Sequence, residues 1–274
     1  RSTQSRSSAA SDVYKRQALI TGASSGIGWE LAKYHASKGG DLIITARRED
    51  KLNNLKAEIE KNYDVKVKII ALDLAVQGGA AALYKEVKAT GETIEILINN
   101  AGFGGHGLHI ERELEQEEKM IELNVKTVVS LTHMIGSDMV KSGKGKMLHV
   151  SSTASFSPGP LQAVYFASKA FVTSFSQAID QELRANGVTS TALCPGGVAT
   201  EFFETANLQN TRLGRAESSF ATAESCAKFG YDSMIAGKLV AVNKKSFSFM
   251  VNWINPLLPR RWVLKMVASM QAEL

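Results

Sequence analysis

The chain of 274 residues is long enough for one large domain or two small ones, and its 44% hydrophobic and 22% charged residues are ordinary for a globular protein. The formal net charge is +5, but residues 1–17 carry +3 of it, so the remainder is nearly neutral and shows no basic patch that would indicate a nucleic-acid partner. Two cysteines, Cys194 and Cys226, offer neither a disulfide framework nor metal-ligand spacing, which predicts a reducing, cytoplasmic location and no bound metal.

The first seventeen residues, RSTQSRSSAASDVYKRQ, lack the apolar stretch of a secretory signal. Their last six residues, DVYKRQ, are what the end of a common transposase-based sequencing adapter encodes. We therefore expect residues 1–17 to be a non-native, disordered tail and residues 18–274 to form a single domain. Finding DVYKRQ encoded upstream of the gene in its source genome would contradict this.

From residue 18 onward, short apolar runs alternate with amphipathic stretches. Strands are predicted at residues 18–21, 41–46, 66–74, 94–102, 145–152 and 188–196. Helices are predicted at residues 26–39, 48–63, 78–90, 114–143 and 162–187. This alternation predicts one doubly wound, Rossmann-type α/β domain: a parallel sheet of about seven strands with helices on both faces. Its ligand should bind at the carboxyl ends of the strands.

A glycine-rich turn, TGASSGIG, joins the first strand to the first helix. Gly22, Gly26 and Gly28 would let the backbone approach a pyrophosphate, which the N-terminus of the helix favours. Such a turn alone is weak evidence, since many loops hold three glycines. The strand–turn–helix context strengthens it.

The end of the second strand, ITARRED, bears on the choice of cofactor. A fold that prefers NAD usually has an acidic residue there for the ribose hydroxyl. Here Ala46 holds that position and Arg47 follows it, and a guanidinium suits a 2′-phosphate. The sequence therefore favours NADP(H), with NAD(H) as the alternative, while Arg48 could be a plain surface residue.

The stretch VYFASKA places Tyr165 and Lys169 four residues apart on a predicted helix, so they share one face. A cation near a tyrosine favours the phenolate and lowers its pKa. That would suit acid–base chemistry near neutral pH, although such pairs are more often found on a surface.

Together, TGASSGIG, NNAG at 99–102, VSS before YxxxK at 165–169, and PGGVAT at 195–200 resemble the classical short-chain dehydrogenase/reductases. The resemblance covers about residues 18–200, and it is most similar to bacterial general short-chain oxidoreductases, with ketoacyl reductases and hydroxysteroid dehydrogenases more distant. It implies an NAD(P)-dependent oxidoreductase acting on CH–OH groups, and a homodimer or homotetramer formed through helices 114–143 and 162–187.

The resemblance assigns a catalytic tetrad. Tyr165 would be the acid–base group and Lys169 would bind the nicotinamide ribose. Ser152 would hold the substrate oxygen, and Asn124 would kink the long helix and hold a water of the proton relay. Ser151 is expected to be structural.

The resemblance also assigns cofactor contacts. Asp73 would contact the adenine, and Val198 and Thr200 the carboxamide. The full expected set is Gly22, Ser24, Ser25, Gly26, Ile27, Gly28, Arg47, Asp73, Leu74, Asn100, Ala101, Gly102, Tyr165, Lys169, Val198 and Thr200. Gly197 departs from a frequent proline and is expected to loosen this loop.

The region after Thr200 is predicted to form the part of the site that binds the substrate. Residues 200–225 correspond to a variable lid in the family. Its apolar residues, with two from earlier loops, are expected either to line a pocket or to pack as ordinary core: Phe103, Phe156, Phe202, Phe203, Leu208 and Phe220. An apolar pocket would select a lipid-like or aromatic carbonyl compound.

The apolar segment 247–270 is interrupted by Pro-Arg-Arg-Trp and is too short to span a bilayer. We expect it to pack beside the pocket or against another subunit, with peripheral membrane contact as the alternative. The predicted function is NADP(H)-dependent hydride transfer between the nicotinamide and an apolar carbonyl or alcohol. The alternatives are a catalytically silent NADP(H)-binding regulator and a membrane-peripheral, lipid-modifying reductase.

Overall fold

The structure, a computed structural model, describes residues 16–215, 220–243 and 257–273. In these ranges the strands are β1 (Ala18–Thr21), β2 (Leu42–Ala46), β3 (Val67–Ala71), β4 (Ile96–Asn99), β5 (Gly145–Val150), β6 (Val188–Cys194), β7 (Val198–Ala199), β8 (Ala221–Thr222) and β9 (Val240–Val242). The α-helices are α1 (Gly26–Ala36), α2 (Glu49–Asn62), α3 (Gly79–Ala89), α4 (Leu114–Ile121), α5 (Thr127–Ser142), α6 (Ala163–Leu183), α7 (Phe202–Thr205), α8 (Arg212–Arg215), α9 (Ala223–Ile235) and α10 (Arg260–Gln271).

A seven-stranded parallel sheet forms the centre of the molecule, in the order β3-β2-β1-β4-β5-β6-β9. This confirms the predicted doubly wound architecture. The sequence pattern did not locate β9, because three residues are too few to establish an alternation. A separate pair, β7 and β8, lies near the end of β6 in the chain.

The strands are apolar on both faces because helices cover both. In β1, Ala18 and Ile20 join the core beneath α1, α2 and α9, while Leu19 joins the core beneath α3, α5 and α6. All three residues are fully buried. This burial on both faces explains why the central strands are rich in apolar residues.

The chain reverses its direction of winding beside β1, which pairs with β2 on one side and β4 on the other. The carboxyl ends of these strands diverge into loops on opposite faces of the sheet. Such a switch point leaves a crevice, and a large cavity, called the main cavity below, lies there.

The predicted helix 114–143 is present from Leu114 to Ser142, with a local change of helix type where the kink at Asn124 was expected. A π-helical turn over Glu122–Lys126 separates α4 from α5. The apolar periodicity continues through this turn, so it did not reveal the interruption.

Two residues that the adapter hypothesis assigns to the tail contact the fold. The Gln17 carbonyl accepts hydrogen bonds from the backbone of Glu95 and Ile96, and the Arg16 carbonyl lies 2.8 Å from His35 Nε2. The backbone supplies these acceptors, so they do not depend on which side chains stand there. Residues 1–15 lie outside the described ranges, and the expectation for the tail stays a prediction.

Candidate active site

The turn after β1 places main-chain atoms at the crevice between the carboxyl ends of β1 and β4. Gly22 has a φ of 67°, and a Cβ there would lie 2.8 Å from the Ala101 Cα, so the position requires glycine. Asn100 donates from Nδ2 to the carbonyls of Thr21 and Gly22 at 2.9 and 3.1 Å. These bonds fix the turn against the end of β4, with the N-terminus of α1 beside it.

This turn forms one wall of a cavity of about 680 Å³. The expected cofactor residues that line the cavity are Gly22, Ser24, Ser25, Gly26, Ile27, Arg47, Asp73, Leu74, Asn100, Ala101, Gly102, Tyr165, Lys169, Val198 and Thr200. Gly28 does not line it. A Cβ on Gly28 would overlap the Gly22 carbonyl, so its part is to let α1 pack closely on the turn.

Two arginines extend the cavity beyond β2. Arg47 and Arg48 are both exposed and both line it. Arg48 is more than a surface residue: its Nη2 lies 2.8 Å from Glu201 and 3.2 Å from Ser24 Oγ. Hydrogen bonding from Arg48 lowers the pKa of the Glu201 carboxyl. Within the described residues Arg47 has no ion pair, so its charge is available to a ligand.

The groups assigned to catalysis converge at the inner wall. Tyr165 and Lys169 stand one turn apart on α6, both buried, and Ser152 follows β5. The Ser152 side chain is near enough to the Tyr165 hydroxyl to lower its pKa. Lys169 donates from Nζ to the Val150 carbonyl at 2.9 Å and lies 5.8 Å from the centre of the Tyr165 ring. A buried acid, a hydroxyl donor and a cation thus face one cavity.

The expected lowering of the tyrosine pKa is not seen. Burial raises the pKa of Tyr165 to about 12, and the hydrogen bond with Ser152 only partly opposes this. Burial also lowers the pKa of Lys169 to about 8. Desolvation penalises both charged forms more than the pair gains at this separation, so the protein's own groups keep Tyr165 protonated.

Asn124 lies in the π-helical turn, as expected for a kink, but its side chain lies outside the lining of the cavity. Its amide donates to the Phe103 carbonyl at 2.9 Å and to Ser168 Oγ at 3.1 Å, and its oxygen accepts from the Phe103 N–H at 3.2 Å. The side chain therefore holds the loop after β4 against α6.

The Ser151 side chain connects the end of β5 to α6. Its hydroxyl donates to the Lys169 carbonyl at 2.8 Å and lies 2.7 Å from Thr173 Oγ1. These contacts hold α6 against the end of β5 and so set the position of Lys169. The geometry supports the structural interpretation of Ser151.

Part of the predicted apolar cover lines the cavity, namely Phe103, Phe202, Phe203 and Leu208. Phe220 packs behind it, with its ring centre 4.5 Å from that of Phe203. Phe156 lines a different groove. The expectation for Gly197 is wrong: a side chain there would overlap the Phe220 ring, and the Gly197 carbonyl accepts from Ala221 N at 3.0 Å, so the loop is packed and bonded.

Helix α10 closes the far side of the cavity, with Met266, Val267, Met270 and Gln271 in its lining. Val263 and Val267 pack in one cluster with Tyr165 and Phe166. This agrees with packing beside the pocket. Residues 247–256 of the apolar segment, and residues 216–219 of the lid, lie outside the described ranges.

Sequence reasoning missed some lining residues, among them Gln162, Phe166 and Leu213. Phe166 directly follows Tyr165, so its place beside the site could have been inferred. Gln162 lies one turn before Tyr165 and donates to Gln271 Oε1 at 3.2 Å, a contact across 109 residues that no local pattern reveals.

In the part of the chain that the structure describes, no group of three or more His, Cys, Asp or Glu side chains is arranged to hold a metal ion. The same part contains no helix with the length and apolar character needed to cross a bilayer.

Comparison with known proteins matches residues 16–211 to the family model of the short chain dehydrogenases. The very-long-chain 3-oxoacyl-CoA reductase of Macaca fascicularis is 29% identical over 92% of this chain and 78% of its own length. An uncharacterised oxidoreductase of Staphylococcus epidermidis is 30% identical over 70% of this chain and 82% of its own. The first relatives in this comparison are animal very-long-chain 3-oxoacyl-CoA reductases, so the expectation that bacterial oxidoreductases are the most similar and ketoacyl reductases more distant is not confirmed.

Among solved structures, a short-chain dehydrogenase from Sphingobium yanoikuyae in complex with NADPH superposes with a TM-score of 0.80 at 27% identity, covering 94% of this chain and 98% of that one. The family match spans the glycine-rich turn, both arginines after β2 and the Ser152, Tyr165 and Lys169 cluster. The chain therefore belongs to the short-chain dehydrogenase/reductase family of oxidoreductases.

Proposed function

We propose that the protein is an NADP(H)-dependent carbonyl reductase or alcohol dehydrogenase acting on an apolar ketone, aldehyde or acyl-type substrate. The observation that carries the proposal is the convergence of Ser152, Tyr165 and Lys169 on one wall of a cavity whose other wall is the glycine-rich turn. Such a cavity offers a phosphate site and an acid–base site together.

The residues present fit a nicotinamide dinucleotide. Gly22 sits where a Cβ would meet the Ala101 backbone, so the turn exposes main chain to the cavity. Among the described residues Arg47 has no ion pair, so its guanidinium at the end of β2 is available to a 2′-phosphate, which supports NADP(H) over NAD(H). The similar Sphingobium protein was solved with NADPH.

When bound, the nicotinamide supplies or accepts the hydride. Ser152 donates a hydrogen bond to the substrate oxygen and orients it. Tyr165, protonated because burial raises its pKa to about 12, gives its proton to that oxygen as negative charge develops. Lys169 lies close enough to favour the resulting phenolate. Alcohol oxidation follows the same steps in reverse.

The lining of the substrate end supports an apolar substrate. Phe103 from the loop after β4, and Phe202 and Phe203 from the first part of the lid, line the same cavity as Met266 and Met270 from α10. A long-chain acyl compound fits such a lining, and the Macaca relative is named for that substrate class.

We also propose a homo-oligomer formed through the α4–α5 and α6 helices. Leu114, Ile121 and Phe171 are 65%, 43% and 39% exposed on these helices, and a subunit interface would cover them. Light scattering after size exclusion, with Phe171→Ser as the variant, would give the number of subunits.

The proposed function is tested by following NADPH and NADH oxidation at about 340 nm over long-chain 3-oxoacyl, steroid, aromatic and sugar carbonyls. The expected result is turnover with NADPH that is fastest for long-chain or bulky apolar compounds. NADPH binding without turnover of any compound would favour the regulator. Preference for sugars would contradict the apolar pocket.

A further inference from the structure

Helix α10 presents an apolar stripe that the fold does not bury. Val263, Val267 and Gln271 face the protein. Trp262, Met266 and Met270, each four residues from the next, are 68%, 42% and 41% exposed. Residues at this spacing lie along one side of a helix. The stripe therefore runs beside the packed face and forms a continuous apolar border with it.

Three cations lie beside the stripe. Arg260, Arg261 and Lys265 are exposed, and within the described residues none of them pairs with a carboxylate. The sequence from 257 to 272 contains no acid. Arg260 and Arg261 occupy the first turn, where the helix dipole disfavours positive charge. These charges therefore do not stabilise α10 through ion pairs with described residues or through the helix dipole. They indicate an anionic partner outside the helix.

The stripe continues into two apolar spaces. Met266 and Met270 also line the main cavity, so the stripe borders that cavity. The first turns of α10 border a second groove, lined by Phe156, Pro158, Phe166 and Leu264 beside Arg260. The stripe on α10 therefore lies between two apolar spaces.

An aromatic and apolar stripe flanked by cations is the composition of a helix that lies in a membrane interface. Indole rings favour the headgroup level, and basic side chains are attracted to anionic lipid. The exposed cations stand on the first half of α10, whereas the Glu273 carboxylate lies just beyond its other end, 3.7 Å from His106. The charge on α10 itself therefore favours contact of its first half with an anionic surface.

We propose that α10 docks the protein on an anionic lipid surface, with Trp262 and the neighbouring stripe inserted at the headgroup level. Docking would set the side of the main cavity that α10 lines near the lipid boundary. Delivery of an apolar substrate to this cavity rests on the function proposed above, whereas the docking itself does not.

Sedimentation of the full chain with vesicles tests the proposal. Vesicles of phosphatidylcholine alone are compared with vesicles in which about a third of the lipid is phosphatidylserine. We expect binding to the anionic vesicles only. Trp262→Ser, and separately Arg261→Gln with Lys265→Gln, should each weaken it about fivefold or more, because each removes one of the two attractions.

The matched controls remove an exposed apolar side chain and two exposed cations at positions outside α10. Ile110→Ser removes a side chain that is 89% exposed, and Lys141→Gln with Lys144→Gln removes two exposed cations. The controls should bind as the parent does, and since every variant carries the same N-terminal tail, the tail cannot cause a difference.

Three results would overturn the proposal: no binding to anionic vesicles, equal loss in the controls, or binding that the α10 variants leave unchanged. A Trp262→Ser protein whose subunit number falls while its vesicle binding persists would show that another copy covers the stripe. Vesicle binding without turnover would leave docking intact and overturn only the proposed activity.

Discussion

Tyr165 and Lys169 are two ionisable side chains whose burial opposes their charged forms. The pKa of Tyr165 is raised to about 12 and that of Lys169 is lowered to about 8. Tyr165 is therefore fully protonated near neutral pH, which is the form that carbonyl reduction consumes. Lys169 is the member of the pair whose charge changes within the working range.

The pH profile of reduction follows from these two values. We expect kcat/KM for the carbonyl to be constant from about pH 6 to about pH 7 and to fall above about pH 8, as Lys169 loses its proton and no longer favours the phenolate. Steady-state rates across this range, with saturating NADPH, measure it. A rise in the reduction rate above about pH 8 would contradict the assignment of the inflection to Lys169.

Arg47 and Arg48 differ although both follow β2. Arg48 is held by Glu201 and Ser24, whereas Arg47 has no ion pair among the described residues. We expect Arg47→Gln to weaken NADPH binding about tenfold or more and to leave NADH binding unchanged, because one charge-assisted contact to the 2′-phosphate is lost. Fluorescence titration of both cofactors measures this, with Lys56→Gln on α2 as the control. Equal loss for both cofactors would contradict the role of Arg47.

At the scale of elements, the π-helical turn connects a long helix to a loop that lines the candidate site. The extra residue in the turn directs Asn124 toward the loop after β4, where it satisfies both backbone groups of Phe103. That loop also carries Gly102 and so forms part of the cavity wall. Through Asn124, the turn between α4 and α5 therefore holds in place a loop that forms part of the cavity wall.

Replacement of Asn124 by alanine should lower the free energy of unfolding by about 2–3 kcal/mol, because the buried Ser168 hydroxyl and the partly buried N–H and C=O of Phe103 each lose a partner. Denaturant unfolding measures the change. The control is Asn62→Ala at the exposed end of α2, where one local hydrogen bond to the Glu58 carbonyl is lost and about 0.5 kcal/mol or less is expected. Equal effects of the two variants would mean that Asn124 does not support the loop.

At the scale of the whole molecule, two buried histidines make stability depend on pH. Burial lowers the pKa of His35 and of His149 to about 4. Both therefore stay neutral in the folded protein at pH values where the unfolded chain, with an ordinary histidine pKa near 6.5, is protonated. A lowered folded-state pKa stabilises the fold above the unfolded value, and this stability is lost as the pH falls toward the folded value.

We expect the free energy of unfolding to fall by about 2 kcal/mol per histidine between pH 7 and pH 5. Urea denaturation at both pH values measures it. His149→Gln should reduce this difference even if it lowers stability at pH 7, because one titrating group is gone. An unchanged pH difference in the variant would indicate that His149 does not titrate as its burial implies.

The sequence predicted the doubly wound sheet because the burial of central strands on both faces leaves them rich in apolar residues, as in β1, β2 and β4. It also predicted that the residues assigned to catalysis lie together, since Ser152 follows a strand and Tyr165 and Lys169 share a helical face. It could not predict the π-helical turn, the Arg48–Glu201 pair or the Gln162–Gln271 contact. The two contacts join residues that are 153 and 109 positions apart, and the turn depends on one backbone residue inserted without a break in apolar periodicity.

The central claim is that Tyr165 is the proton donor of a hydride-transfer site, and Tyr165→Phe tests it most directly. The variant keeps the ring that packs against Phe202 and removes only the hydroxyl. NADPH affinity and NADPH-dependent turnover of the best carbonyl substrate are measured on the same sample. We predict nearly unchanged NADPH binding and turnover reduced about 100-fold or more. Turnover that survives the substitution would contradict the account.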